Sequence, residues 1–149
     1  MDLMLDTNIV LDHIGRREPF YRLSRLVCLL GITGEARTFI TTSMVTDIFY
    51  LLCKDYGSRE AQRMIEEELG FLHLVSVTPE DVAEALSRKW DDFEDCLVSC
   101  CAQKIKADCI ITRNVKDFER SSVRALPPEQ LFQELESRGI HYEEVDWQG

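Results

Sequence analysis

The chain has 149 residues, of which 45% are hydrophobic and 30% are charged, and its formal net charge is −10 at pH 7. This composition is typical of one globular domain, and no stretch approaches the roughly 18 apolar residues of a membrane span. Asp2 and Asp6 interrupt the only apolar run near the start, which disfavours a secretory leader, so we expect a cytoplasmic protein without membrane association. The negative charge excludes nucleic-acid binding through the overall field, so such binding requires locally concentrated basic side chains or bound cations.

Short apolar runs alternate along the chain with segments whose apolar residues recur at helical spacing. In the first half of the chain the expected elements are a strand over 3–5, a helix before the break at 15–19, a helix over 20–30, a strand over 38–41, a helix over 44–52 capped by Ser43, a helix over 59–69 and a strand over 74–77. In the second half they are a helix over 79–89, a helix over 96–105 that follows acids at 91–95, a strand over 109–112, a short strand over 123–126 and a helix over 129–137. This alternation predicts an α/β fold built around a mostly parallel sheet.

The C-terminal end differs in charge from the rest of the chain. From Glu129 onward there are six acids and one base. Gly139 follows the last predicted helix, and no regular element is expected after it. We therefore predict one domain over residues 1–138 and an acidic tail over residues 139–149.

The six cysteines form no Cys-x-x-Cys pair, and none stands at zinc-ligand spacing from a histidine. Cys96 and Cys100 share one face of a predicted helix, where we expect them to act as small buried hydrophobes. His13, His73 and His141 show no spacing that indicates a nucleophile or a zinc site. Six reduced thiols are expected, as suits a reducing cytosol.

Polar residues stand where the predicted strands end and at the start of the helix over 96–105. They are Asp6, Asn8, Asp47, Asp92, Asp95, Asn114 and Asp117. Because the carboxyl ends of parallel strands lie along one edge of a sheet, we expect these side chains to converge there. Clustered carboxylates repel one another, so such a cluster is typical of a site for Mg²⁺, which prefers oxygen ligands. An ion held there activates water and stabilises a phosphate under attack, which makes metal-dependent phosphodiester hydrolysis the expected reaction.

A set of short motifs carries a resemblance to a known family. The motifs are Asp6-Thr7-Asn8, Asp47, Asp92-Phe93-Glu94-Asp95, and Thr112-Arg113-Asn114 with Asp117-Phe118. In this order and spacing the chain resembles a PIN domain, and it is most similar to the VapC-like branch of toxin–antitoxin ribonucleases, over nearly its whole length to about Ser137. The resemblance implies a three-layer α/β/α sandwich with a mostly parallel central sheet. It also implies an endoribonuclease site that uses Mg²⁺ or Mn²⁺.

The resemblance further implies roles for individual residues. Asp6 and Asp95 match the most diagnostic metal-site acids of the family, and Asp47 stands where the family has an acid early in a helix. Asn114 occupies the fourth catalytic position, where many relatives have Asp, so Asp117 or Asp92 is expected to supply the missing charge to the metal. The residues that match those orienting ligands and the attacking water are Thr7, Asn8 and Thr112.

The same acids also have structural alternatives. Asp92 and Asp95 stand at the N-cap and N3 positions of a predicted helix, where acids are favoured by the helix macrodipole alone. Asp6 is placed to cap the helix that follows the first strand. The alternative role of Asp47 is that of a solvated helix residue. The alternative role of Asn114 and Asp117 is that of ordinary turn residues.

Two other functions compete with the ribonuclease hypothesis. A haloacid-dehalogenase-like phosphatase also has an Asp after its first strand, but it requires a second Asp where this chain has Asn8. A catalytically weak PIN-like binding or scaffold module is the other alternative. Asn114 and the net negative charge favour that alternative.

Four basic residues flank the expected site, namely Arg16, Arg17, Arg113 and Lys116. We predict that they hold the RNA backbone, because a chain of this net charge needs local cations for phosphate contacts. A scattered, solvated surface is the alternative.

The resemblance implies two protein partners. VapC-like proteins form homodimers, and a small antitoxin protein inhibits them by inserting a segment near the acids. The apolar helices at Phe20–Leu30 and Met44–Leu52 are candidates for that surface, and a role in the ordinary core is the alternative.

Overall fold

The structure is a computed structural model that describes residues 1–142. Five parallel strands form one sheet in the order β3-β2-β1-β4-β5. Their bounds are β1 Asp2–Leu5, β2 Arg37–Thr41, β3 Leu72–Val75, β4 Cys109–Ile111 and β5 Ala125–Leu126.

Helices cover both faces of this sheet, which confirms the predicted three-layer α/β/α sandwich. They are α1 Thr7–Ile14, α2 Tyr21–Ile32, α3 Thr42–Tyr56, α4 Ser58–Glu68, α5 Pro79–Arg88, α6 Phe93–Lys104 and α7 Pro128–Ser137, with a short 3-10 helix at Val115–Phe118. Helix α1 packs on α2 and α3, α3 packs on α4, and α5 packs on α6. No helix within residues 1–142 is long and apolar enough to cross a membrane.

β4 and the last three residues of β1 are apolar, because helices cover both faces of these strands. Leu3, Met4 and Leu5 of β1 are fully buried, and so are Ile110 and Ile111 of β4. The apolar faces predicted on α2 and α3 are also buried, so these faces belong to the ordinary core rather than to a docking surface. Their buried residues include Leu26, Val27, Leu30, Met44, Ile48 and Leu52.

Several predicted boundaries are wrong. The third strand begins at Leu72 rather than at Leu74, the last strand begins at Ala125 rather than at Val123, and α3 ends at Tyr56 rather than at Leu52. The third strand ends at Val75 rather than at Val77, because Val77 turns away and donates its backbone N–H to the Thr42 hydroxyl at 3.1 Å. Ser43 does not cap α3. The helix begins one residue earlier, at Thr42, and the Ser43 hydroxyl is hydrogen-bonded to the hydroxyl of Thr41 at 2.8 Å.

The C-terminal end stays in contact with the domain as far as the structure describes it. The backbone N–H of Ile140 donates to the carbonyl of Leu135 at 3.0 Å. The ring of Tyr142 lies edge-on to Phe132, with 5.8 Å between ring centroids. The rest of the predicted acidic tail over 139–149 lies outside the described residues, so the domain boundary at residue 138 stays a prediction.

All six cysteines are free thiols, as predicted. Cys53 is half-buried, and the other five are buried in the core.

Candidate active site

The site lies where the strand order reverses. From β1 the chain proceeds to β2 and β3 on one side, and it later returns to place β4 and β5 on the other. Leu5 at the end of β1 pairs with Ile111 at the end of β4, and the Asp6 backbone N–H donates to the Ile111 carbonyl at 2.9 Å. In an open parallel sheet this reversal leaves a crevice at the carboxyl edge, and Asp6 stands in it.

Asp6 is held from three sides by neutral donors. Its Oδ1 accepts from the Thr7 backbone N–H at 2.8 Å, and its Oδ2 accepts from the Thr112 hydroxyl at 2.8 Å and from Asn8 Nδ2 at 3.1 Å. The carboxylate also caps α1, so the structural alternative for Asp6 is correct without excluding a functional one. Because the side chain is only 7% exposed, these bonds leave little freedom in its orientation.

The start of α6 contributes three further acids. Asp92 is the N-cap of the helix, and its Oδ1 accepts from the Asp95 backbone N–H at 3.0 Å. Glu94 and Asp95 lie in the first turn. The expected capping geometry is therefore present, and these three acids lie on the same groove as Asp6.

These acids line one open groove of about 520 Å³, which we call the acidic groove. Its polar lining comes from five segments of the chain and comprises Asp6, Thr7, Asn8, Arg17, Asp47, Asp92, Glu94, Asp95, Asn114 and Asp117. Every acid predicted from the sequence is present. None of the ion pairs found between residues 1–142 involves a carboxylate of the groove.

The crowding of carboxylates changes their acidity. Burial, followed by the charges of Asp6, Asp92, Asp117 and Glu94, raises the pKa of Asp95 to about 7. Burial also raises the pKa of Asp6, although the hydrogen bonds from Thr112 and Thr7 oppose that shift. A cation in the groove would offset this repulsion.

Asn114 and Asp117 occupy the groove together. The Asn114 backbone N–H donates to the Thr112 hydroxyl at 3.0 Å, and that hydroxyl in turn donates to Asp6. Asp117 lies one turn later in the 3-10 helix, and its charge raises the pKa of both Asp6 and Asp95. Asp117 thus brings a carboxylate to the part of the groove where Asn114 has an amide.

Arg113 pairs with a buried acid of α1 and does not line the groove. Its Nε and Nη2 donate to the carboxylate of Asp12 at 2.6 and 3.3 Å, and its guanidinium lies 3.9 Å from the centroid of the Phe20 ring. Asp12 is fully buried, so this pair anchors the loop after β4 to α1. The predicted RNA contact of Arg113 therefore has little geometric support, because both the polar edge and one face of the guanidinium are occupied.

The other three basic residues differ in position. Arg17 lines the acidic groove. Lys116 lines a smaller cavity that shares Asp92 and Asp117 with the groove. Arg16 follows α1 with a left-handed backbone, φ 48°, and is exposed next to Arg17 without being part of the groove lining.

Sequence reasoning missed one acid of the groove, Glu94, and one buried acid outside the groove, Asp12. Glu94 lines the groove, and burial together with the charge of Asp47 raises its pKa. Its position in the acidic run Asp92–Asp95 indicated that Glu94 could belong to the site, but acids in a first helical turn are also explained by helix capping. Asp12 gave no such signal, because its partner Arg113 is distant in sequence.

The donor set of the groove fits a hard divalent cation. It offers carboxylate and amide oxygens and no sulfur or imidazole ligand among the lining residues. Mg²⁺ and Mn²⁺ bind such oxygen ligands and retain several waters, which an open groove accommodates.

Comparison with known proteins places the chain among related folds. A family model described as PIN domain matches residues 2–116. Comparison with curated protein sequences gives no match. The fold is similar to that of VapBC-1 from nontypeable Haemophilus influenzae, with a TM-score of 0.65 and 19% identity over 87% of this chain and 99% of that chain. It is also similar to VapBC2 from Rickettsia felis, solved with a DNA fragment from its promoter, with a TM-score of 0.63 and 19% identity over 85% of this chain and 98% of that chain. For VapC20 from Mycobacterium tuberculosis, described as a Sarcin-Ricin loop cleaving toxin, the TM-score is 0.60 and the identity 13% over 72% of this chain and 86% of that chain.

Proposed function

The chain belongs to the PIN domain family, and from this premise we propose that it is a metal-dependent endoribonuclease that hydrolyses RNA phosphodiester bonds. The observation that carries the proposal is the convergence of acids from separate segments on one groove at the reversal of strand order. The carboxylates of that open groove take part in no ion pair within residues 1–142.

We assign the metal to Asp6 and Asp95, with Asp117 and Asp92 as further oxygen ligands. A bound Mg²⁺ or Mn²⁺ supplies Lewis-acid stabilisation of the scissile phosphate and lowers the pKa of a water molecule. The chain's own part is to hold the ligands, and the Thr112 hydroxyl does so by donating to Asp6. Thr7 and Asn8 donate to the same carboxylate, and the hydrogen bond from Thr7 opposes the rise that burial causes in the pKa of Asp6.

The remaining groove residues act on the substrate and the water. Asp47, from the second turn of α3, accepts a hydrogen bond from the attacking water and orients it. The Asn114 amide donates to a phosphate oxygen. Arg17 and Lys116, with Arg16 at the rim, supply the positive charge that holds the RNA backbone.

RNA is proposed as the substrate because VapC20, which is similar in fold, is described as cleaving the Sarcin-Ricin loop. The similarity to VapBC complexes supports a toxin role in a toxin–antitoxin pair, with a small antitoxin protein as partner. We also propose a homodimer as the working assembly. The faces of α2 and α3 that are buried in the core are not available for these contacts, so we assign the contacts to the surface around the acidic groove.

The test is cleavage of a labelled single-stranded RNA by the purified chain with Mg²⁺ or Mn²⁺. We expect Asp6→Asn to lower the cleavage rate by about 10²- to 10³-fold, the range for removal of one preorganised electrostatic group. Excess EDTA should abolish cleavage. The matched control is Asp55→Asn, an exposed aspartate of α3 outside the groove, which should cleave at the wild-type rate. Full cleavage by Asp6→Asn, or in EDTA, contradicts the proposal.

A catalytically weak binding or scaffold module is the second candidate, and Asn114 favours it, because an amide replaces a carboxylate in the groove. Calorimetric titration with Mn²⁺ separates the two candidates. Metal binding that Asp6→Asn removes, without RNA cleavage, indicates the scaffold. Binding accompanied by cleavage indicates the nuclease.

A further inference from the structure

A second group of ligand-type side chains lies away from the acidic groove. His13 in the last turn of α1, Cys28 in α2 and Glu68 at the end of α4 each offer one donor atom, and these atoms lie within 4.8 Å of one another. His13 Nδ1 is 3.0 Å from Glu68 Oε2. His13 lies seven residues beyond Asp6 along α1, about 10 Å at the helical rise per residue.

We propose that His13, Cys28 and Glu68 form a Zn²⁺ site that joins the ends of α1 and α4 to the middle of α2. This inference is independent of the proposed nuclease function, because it uses none of the residues of the acidic groove.

The donor geometry is close to that of a tetrahedral zinc site. Zinc–ligand bonds of about 2.0–2.3 Å place neighbouring donors about 3.4–3.6 Å apart. The His13 and Glu68 atoms are already nearer than that, at 3.0 Å. The most distant pair therefore has to approach by only about 1 Å, a movement within reach of side-chain rotation.

The chemistry of the donors selects zinc over the ions expected in the groove. Sulfur and imidazole ligands suit Zn²⁺, whereas Mg²⁺ and Mn²⁺ prefer oxygen. The charges also balance, because one thiolate, one carboxylate and a neutral imidazole neutralise a divalent cation. This balance matters because Cys28 is fully buried and the side chains of His13 and Glu68 are only 17% and 13% exposed.

The surroundings hold the imidazole in place. The Tyr21 ring is stacked on His13 at 6.5 Å between centroids, and the Phe71 ring meets it edge-on at 6.2 Å. Burial and the nearby Glu68 hold the pKa of the Cys28 thiol well above its usual range. Zinc binding therefore has to displace a proton from sulfur, as at other thiolate sites.

The experiment is a titration of the metal-free, full-length protein with Co²⁺, followed by displacement with Zn²⁺. We expect one equivalent of Co²⁺ to give a near-ultraviolet sulfur-to-cobalt charge-transfer band and visible bands of tetrahedral type, both bleached by Zn²⁺. Cys28→Ser should remove the charge-transfer band. Glu68→Gln, near the surface, should weaken Zn²⁺ binding by about 10- to 100-fold.

The matched controls are Cys53→Ser, which alters the half-buried thiol, and Asp6→Asn, which alters the groove. Both should retain the wild-type cobalt spectrum. Absence of the sulfur band in the wild-type protein overturns the proposal without any variant, and leaves an ordinary His13–Glu68 hydrogen bond beside a buried thiol. Loss of the band in Asp6→Asn would also overturn it. RNA cleavage is not a readout, so failure here leaves the nuclease proposal untouched.

Discussion

Asp6 and Asp12 are two buried aspartates at the two ends of α1, and they differ in whether a basic side chain is paired with the carboxylate. Asp12 is paired with Arg113, which donates to it twice. Asp6 receives only neutral donors, and the nearest charges acting on it, those of Asp117 and Asp92, are negative.

The residues that make this difference are consecutive. Thr112 bonds Asp6 and Arg113 bonds Asp12. The loop after β4 therefore neutralises the carboxylate of Asp12 through Arg113, and it orients the carboxylate of Asp6 through Thr112 without neutralising it. A cation site requires a carboxylate that has no counter-charge from the protein, and Asp6 meets this requirement whereas Asp12 does not.

The largest effect that would break this comparison is on stability. Asp12→Asn should lower the free energy of unfolding by about 2–3 kcal/mol, because it leaves Arg113 without its partner; the loss is below the 3–5 kcal/mol of fully buried pairs because Arg113 is partly exposed. Asp6→Asn should destabilise the metal-free protein less than Asp12→Asn does, because relief of repulsion offsets the hydrogen bonds that the new NH2 group cannot accept. Urea unfolding in EDTA measures both. Equal destabilisation by the two substitutions would remove the distinction.

A smaller effect concerns how many negative charges the groove presents. Asp117→Asn should weaken Mn²⁺ binding by about 10-fold, because it removes an oxygen ligand charge near Asp6 and Asp95. Asn114→Asp should strengthen binding by a similar factor and lower the stability of the metal-free protein. Calorimetric titration measures the affinities. If Asp117→Asn binds Mn²⁺ as the wild type does, Asp117 does not replace the charge that Asn114 lacks.

The pH dependence of Asp95 offers a third test, in which only the direction is predicted. Its pKa is raised to about 7 from an ordinary value of 3.8. The folded protein therefore keeps a proton that the unfolded chain has lost, so this contribution to stability is complete below the unfolded value and disappears as pH rises through about 7. In EDTA, the Tm of the wild type should fall more from about pH 5 to about pH 8 than that of Asp95→Asn, and Mn²⁺ affinity should rise over the same window. Parallel Tm curves for the two proteins would mean that Asp95 titrates normally.

The smallest effect is expected at the rim of the groove. Arg17→Glu, in an Asp6→Asn background that does not cleave, should weaken RNA binding a few-fold and reduce the slope of log affinity against log salt by about 1. Arg16→Glu should have a smaller effect, since Arg16 does not line the groove. Fluorescence anisotropy at several salt concentrations measures both, and Arg59→Glu on exposed α4 serves as the control. An unchanged slope in Arg17→Glu would exclude a phosphate contact there.

Local sequence patterns predict a large part of this fold. The buried runs of β1 and β4 follow from uninterrupted apolar residues, and the start of α5 follows from Thr78, which accepts from Asp81 in a capping box. The acids of the groove were also predictable, because the carboxyl ends of the strands in a parallel sheet lie along one edge. Ser43 failed as a cap because Thr41 and Thr42 are equally suitable neighbours, and local preference alone does not separate them.

Contacts that depend on helix packing were not predictable. The pairing of Asp12 with Arg113 joins residues 101 positions apart, and the sequence around Asp12 contains no pattern that indicates a charged partner. The grouping of His13, Cys28 and Glu68 likewise requires three helices to meet at a particular angle. Such contacts are set by the packing of whole elements, which sequence spacing does not encode.

The direct pairing of β1 with β4 has a consequence for synthesis of the chain. Asp6 is made 106 residues before Thr112, whose hydroxyl orients it. Contacts between such distant residues form late in folding, because a long loop has to close first. A ribosome-bound chain that has not yet released β4 therefore lacks the oriented carboxylate. The order of synthesis delays the orientation of Asp6 until β4 and Thr112 have been made.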